Sequence, residues 1–253
     1  MIRAFLAVAL VLPLSACANA SALPCDALPQ EAASKPVEAN GTVFCFVHAR
    51  PQDEAPGSAP SGPAAISVYA SSQGAPATFV YELPYSGTDS VVDDAFLASG
   101  RSAGKQLVVI HSSDAPSTFE ITGKLHDVTV LDVSGKHPAV NERARKFFDI
   151  GGDVTDASGN ITFRYPYKTR EPVIAALDSP IFNASADEPV TAQVKDKAFL
   201  YPEPDSRMVS KAYVIKGDTV SVQDASGGWC QVSYQGKSKA IVRWMQCELL
   251  QAP

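Results

Sequence analysis

Hydrophobic and polar positions change rhythm several times along this chain. "TVFCFVHAR" (Thr42 to Arg50) alternates around β-forming residues and predicts a strand. Further strands are predicted near Ile66 to Tyr69, Phe79 to Leu83 and Leu107 to His111. Phe119 to Leu125 and Val128 to Val133 lie close enough together to predict a hairpin, and Ile161 to Tyr167 predicts one more strand after the turn "DASGN". Three segments carry a helical spacing instead. "TDSVVDDAFLAS" puts Val91, Val92, Ala95 and Phe96 on one face, with Thr88 or Asp89 as N-cap. "HPAVNERARKFFD" does the same with Val140, Ala144, Phe147 and Phe148, and "EPVIAALDS" with Val173, Ile174 and Leu177. These strands and helices do not alternate regularly, so the expected class for residues 41–185 is an α+β domain. A boundary is expected between Phe182 and Val190, with a second domain over residues 190–253.

The N-terminus changes the picture from fold to address. "MIRAFLAVALVLPLSAC" has a positive Arg3 and an apolar run from Ala4 to Leu14, too short to span a bilayer. Leu14-Ser15-Ala16-Cys17 resembles the lipobox of bacterial lipoprotein signal peptides. That resemblance implies cleavage after residue 16 and lipidation of the Cys17 sulfur, chemistry that needs a thiolate nucleophile. It also implies the outer membrane, because Ala18 rather than aspartate follows the lipidated cysteine. Ordinary secretion, with Ala18-Asn19-Ala20 as the cleavage site, is the bland alternative. Residues 17–40 are rich in Ala, Pro and Ser and read as a tether, and "PQDEAPGSAPSGP" reads as an exposed loop. The expected location is the periplasm.

Five cysteines less Cys17 leave Cys25, Cys45, Cys230 and Cys247. Four cysteines allow three pairings, and proximity favours Cys25–Cys45 and Cys230–Cys247. Each bond would close a loop of roughly 20 residues, worth about 3 kcal/mol in the chain-entropy model. No C-x-x-C occurs, and no histidine lies near the second pair, so neither a zinc site nor a redox couple is expected.

Net charge is −6, with no basic run, which argues against nucleic acid as a partner. From Ala18 to Pro189 the net charge is −9, and from Val190 onward +2. An acidic body can steer a basic partner, although solubility explains the acids equally well.

The tail carries the most specific pattern. Lys216-Gly217-Asp218 precedes alternating Val220 and Val222, Gly228-Trp229 precedes Val232, and the chain closes on Leu249-Leu250. This quarter of the chain resembles the bacterial SH3 (SH3b) domain, which implies an all-β SH3-like small barrel after the α+β domain. The chain departs from that family at Ala240-Ile241-Val242, where a Gly-Trp-Val is usual. The candidate binding surface is Tyr201, Trp229, Tyr234, Arg243 and Trp244, beside the lysine-rich turn "QGKSK".

Catalytic patterns are weak. "VVIHSSD" gathers His111, Ser112, Ser113 and Asp114, yet a triad must converge in space, and no G-x-S-x-G elbow is present. "DIGGDVTDASGN" offers Asp149, Asp153, Asp156 and Asn160 but lacks the alternate spacing and closing glutamate of a calcium loop. No catalytic residue, metal or cofactor is expected. The expected function is a lipid-anchored periplasmic binding protein whose partner is an envelope protein, such as a toxin or lytic enzyme, or peptidoglycan. An inhibitor or immunity protein is the sharper form. The alternative is a cell-wall-acting enzyme that its SH3b domain targets to peptidoglycan.

Overall fold

The runs "LVVI" and "VTVL", apolar except for Thr129, mark strands covered on both faces, and they place the middle of the molecule. The structure is a computed structural model that describes residues 24–49, 63–72, 75–99, 104–117, 121–135, 137–236 and 240–252. The signal segment, Cys17, residues 51–62 of the proline-rich loop and Lys237 to Lys239 lie outside the described residues.

The first layer is an antiparallel meander of β1 (Ala32–Ala39), β2 (Thr42–Ala49), β3 (Ala65–Ser72) and β4 (Thr78–Glu82). Part of the expected tether is therefore strand β1. Asn40 and Gly41 join β1 to β2 with φ of 52° and 73°, the two left-handed positions that a tight two-residue hairpin requires. Cys25, in a 3-10 turn at Pro24–Ala27, is bonded to Cys45 of β2.

The second layer contains β5 (Ser90–Ser99), β6 (Lys105–Asp114), β7 (Ile121–Asp132), the short β8 (Ala139–Val140), β9 (Gly151–Thr155) and β10 (Ile161–Phe163). Its order is β10-β9-β7-β6-β5, with β8 paired to β7. Leu107, Val109, Leu131 and Val133 face the first layer and pack with Phe44, Phe46, Ile66, Val68 and Leu83. The intervening Val108, Ile110, Val128 and Val130 face the opposite core. Alternate side chains of a strand point to opposite faces, so two covered faces leave no polar alternation to read.

That opposite core holds α1 (Glu142–Phe148), α2 (Arg170–Leu177) and the third layer. Asn141 caps α1 by accepting a hydrogen bond from the Ala144 amide. The third layer consists of β11 (Val190–Val194), the ribbon β12 (Ala198–Phe199) and β13 (Tyr213–Val214), then β14 (Thr219–Ser226), β15 (Trp229–Gln235), β16 (Ala240–Gln246) and β17 (Leu250–Gln251). Its main sheet runs β16-β15-β14-β11-β17.

The expected class, an α+β domain followed by a small SH3-like barrel, is overturned. Among the described residues strands form 51% and helix 13%, with several sheets. The sheet β16-β15-β14-β11-β17 runs from β16 to β17, and the β16 end is bridged by Tyr201 to Trp244. One apolar cluster joins Phe96, Val108, Phe147 and Phe148 to Val222, Trp229, Val232 and Leu250, so the tail completes a core that it shares with the preceding layer. Local features of the tail pattern are present: Val220 and Val222 are buried on β14, and Leu250 begins β17.

Two further expectations fail for identifiable reasons. "SVVDDAFLAS" is strand β5, with a register shift between Val92 and Asp94. The extra residue puts Val92 and Ala95 against one core and Phe96 and Ala98 against the other, so a bulged strand acquires a helix-like spacing. Within the predicted hairpin over residues 119–133, Ile121–Asp132 is a single strand, β7; Gly123 sits inside a register shift between β7 and β9 rather than at a turn. The predicted strand from Ile161 to Tyr167 ends at Phe163.

Candidate functional site

The junction of the second and third layers forms the site. β14 turns into β15 through Gly227 and Gly228, with φ of 56° and 89°. Gly228 lies so close to the second layer that an added Cβ would fall 2.7 Å from Pro166 Cδ and 3.2 Å from Phe163 Cζ. This approach brings Trp229 onto Phe163 of β10, with ring centroids 5.0 Å apart and planes at 20°. Tyr201 meets Trp229 edge-on at 5.1 Å.

Beside this stack runs an open groove of about 440 Å³. Ile121, Ile150, Val154, Phe163 and Trp229 supply its apolar surface. Asp149, Ser226, Asp205, Ser206 and Arg207 supply its polar surface. Arg207 grips Asp205 through two nitrogens, Nε to Oδ1 at 2.8 Å and Nη2 to Oδ2 at 2.6 Å. Ser206 is tied to Thr162 of β10 by a hydroxyl contact of 2.8 Å, so the rim is anchored to the same strand as the aromatic floor.

Asp149 is the least ordinary residue of the groove. It follows α1 with φ 37° and ψ 148°, a region that is nearly exclusive to glycine and costs on the order of 1–3 kcal/mol for other residues. Its neighbours hold it there. The Asp149 amide donates to Arg145 O at 3.2 Å, and the Tyr165 hydroxyl donates to Asp149 O at 2.8 Å. The Ile150 amide donates to Oδ1 at 2.9 Å and the Ser226 hydroxyl to Oδ2 at 3.1 Å. Burial, with Asp127, Tyr167 and Asp149 nearby, pushes the Tyr165 hydroxyl well above its usual pKa, so it remains a donor.

The two expected disulfides are present, Cys25–Cys45 and Cys230–Cys247. Of the candidate surface, three residues converge. Tyr201 and Trp244 exchange two backbone hydrogen bonds of 2.8 Å, and Tyr201 packs on Trp229. Trp229 is only 5% exposed and forms groove wall and core together. Tyr234 packs against the main core, and Arg243 points back to the Val242 carbonyl at 2.8 Å, so neither lines the groove.

The "VVIHSSD" residues alternate along β6 and do not converge. His111 is buried with Nε2 3.0 Å from Pro84 O, Ser113 meets Ser86, and Ser112 accepts from Lys124 at 3.4 Å. His111 faces Asp127 across the strands. Burial raises the Asp127 pKa, against the opposing pull of His111 and the Thr129 hydroxyl. His126 stacks on Tyr165 and has Asp93 at 3.9 Å. Burial lowers its pKa despite Asp93, so at neutral pH the contact is not an ion pair.

The four oxygen-rich residues of residues 149–160 divide their work. Asp156 closes a turn on Ser158 and Asn160, Asp153 holds Lys168, and only Asp149 reaches the groove. Among the described residues no group of three or more His, Cys, Asp or Glu is placed to hold a metal ion, and no helix is long and apolar enough to cross a membrane. Phe163 and Arg207 were not candidates from the sequence. Their only local signals are an aromatic in a short strand and an arginine in a proline-rich loop. Comparison of the chain with models of known families, with curated proteins and with solved structures finds no match.

Proposed function

We propose that the protein is an exported lipoprotein of the bacterial envelope, anchored through Cys17, that binds a protein partner at the groove between its second and third layers. The groove carries this reading: it combines a stacked aromatic floor with fixed polar groups on two rims, the composition expected of a recognition site. Two disulfides in a chain of 253 residues support an oxidising compartment. The layer order supports an orientation. Cys45 fixes the beginning of the described chain to the first layer, and Pro24 lies seven positions after Cys17. That stretch reaches at most about 25 Å, so the lipid holds the first layer near the bilayer while the groove, on the other side of the central sheet, faces the periplasm. Inhibition of a toxin or lytic enzyme is the activity that fits such a tethered binding surface.

The test uses photo-crosslinking residues placed singly at Ser226, on the groove, and at Lys35, on β1. The Ser226 position should yield one discrete protein adduct in intact envelopes and the Lys35 position none. Equal labelling from both positions refutes the groove as the binding surface. Wall degradation by the purified protein in a zymogram would replace binding with catalysis. Cys17→Ala should release the protein from membranes, and unchanged partition refutes the anchor.

A further inference from the structure

We propose that the groove accepts a positively charged side chain, a lysine or arginine of a protein partner, with Asp149 as its counter-charge and the Phe163–Trp229 stack as the surface for its alkyl stem. This inference deepens the groove reading above and rests on it.

Three observations converge on Asp149. Its backbone occupies a glycine-like conformation, so aspartate is a locally unfavourable choice there. It also places a carboxylate directly after the C-terminus of α1, the end at which a helix favours cations. A glycine, or a lysine elsewhere in the turn, would serve the chain reversal better. Local rules broken twice at one groove-lining position point to a role in recognition rather than in folding.

The third observation is electrostatic. Among the described groove residues the other carboxylate, Asp205, is matched by Arg207. The donors to Asp149 are neutral, the Ile150 amide and the Ser226 hydroxyl. Each takes one acceptor position and leaves others on the two oxygens. A lysine or arginine end group fits this remaining capacity. Its methylene stem suits the apolar wall, since such side chains lay their stems on apolar surface and keep the charge at a polar rim. The net charge of −6 favours a basic partner over an acidic one.

The test uses capped tripeptides with lysine, arginine, leucine or glutamate at the centre, added to the mature protein. The Trp229 indole N–H is followed by two-dimensional NMR, with Trp244 as the internal comparison. The lysine and arginine peptides should shift Trp229 saturably, more weakly at high salt, and the glutamate peptide should not. Asp149→Asn keeps the shape and one acceptor oxygen while removing the charge. It should weaken the lysine peptide by about tenfold, the weight of one charge-assisted contact, with a melting temperature that does not fall. Equal affinity for the Asn variant refutes the role of Asp149. Saturable binding of the leucine or glutamate peptide without the basic ones refutes the ligand class but leaves the groove as a site. No shift from any peptide refutes both.

Discussion

Replacing Gly228 by alanine tests whether the third layer is welded to the second. The residue has φ 89°, where a side chain costs about 1–2 kcal/mol. The new methyl would sit 2.7 and 2.9 Å from Pro166 Cδ and Cγ and 3.2 Å from Phe163 Cζ. Proline cannot swing aside as a long side chain would, so the hairpin or β10 must move. Overpacking of this kind costs about 1–3 kcal/mol. Together these terms give a loss of about 2–5 kcal/mol, against a typical total stability of about 5–15 kcal/mol. At about 2–4 °C per kcal/mol for a chain of this size, the melting temperature should fall by roughly 4–20 °C. Gly159→Ala is the control, because φ is 81° there but nothing lies within 4 Å of the added atom. It should lose only the backbone part, about 1–2 kcal/mol. Scanning calorimetry, together with near-ultraviolet dichroism of the tryptophans, measures both variants. The shared core also predicts one transition, displaced as a whole. Equal losses for the two variants would refute the contact argument. Two resolved transitions, only one of them moved by Gly228→Ala, would refute the shared core.

Replacing Cys230 and Cys247 together by alanine opens a loop of 17 residues. The variant should lose about 3 kcal/mol, and a reductant should lower the melting temperature of the wild type but not of this variant through that bond. Asp127→Asn should raise stability at neutral pH. The folded carboxyl has a raised pKa, so its favourable contribution is complete below the ordinary value of 3.8 and is lost as pH rises through the folded pKa. Chemical denaturation from pH 3 to pH 7 measures this, and a wild-type advantage at pH 7 would refute it. His126 acts on the other limb. Its lowered pKa leaves stability intact above the ordinary 6.5 and removes it as pH falls toward the folded value. His126→Gln should therefore flatten the stability profile just below pH 6.5, and an unchanged slope would contradict the assignment.

Which elements were legible depended on how many faces each one buries. α1 was readable because its buried Ala144, Phe147 and Phe148 lie on one side of a short amphipathic turn that begins at a good cap. β14 was readable because Val220 and Val222 are buried, whereas Thr219 and Ser221 are not. β5 was not, because its bulge breaks the two-residue period at the point where the strand changes its allegiance between two cores. β1 was masked by its Ala, Pro and Ser content, although Asn40-Gly41 was a hairpin signal in plain sight. The pairing of the cysteines was legible because both bonds join partners that are close in sequence and adjacent in one layer or sheet.

The mistaken barrel has the same origin as the missed site. Valines alternating after Lys216-Gly217-Asp218 specify a strand with one buried face, but not which layer covers that face. In this chain the cover includes Phe147 and Phe148 from α1, and the turn Gly227-Gly228 rests on Pro166 and Phe163. The tail therefore spends its apolar surface on a neighbour, where an autonomous barrel would close on itself. The groove is a by-product of that docking. Its floor pairs residues 66 positions apart, Phe163 and Trp229, and Ser226 meets Asp149 across 77 positions. No local period encodes such a meeting. What the sequence does carry at Asp149 is an anomaly: an acid at the end of a helix, immediately before Ile150 and two glycines, where glycine itself would fit the backbone. Such an anomaly becomes interpretable only when the opposite wall of the groove is in place, and that wall makes a buried aromatic stack and an unneutralised carboxylate parts of one surface.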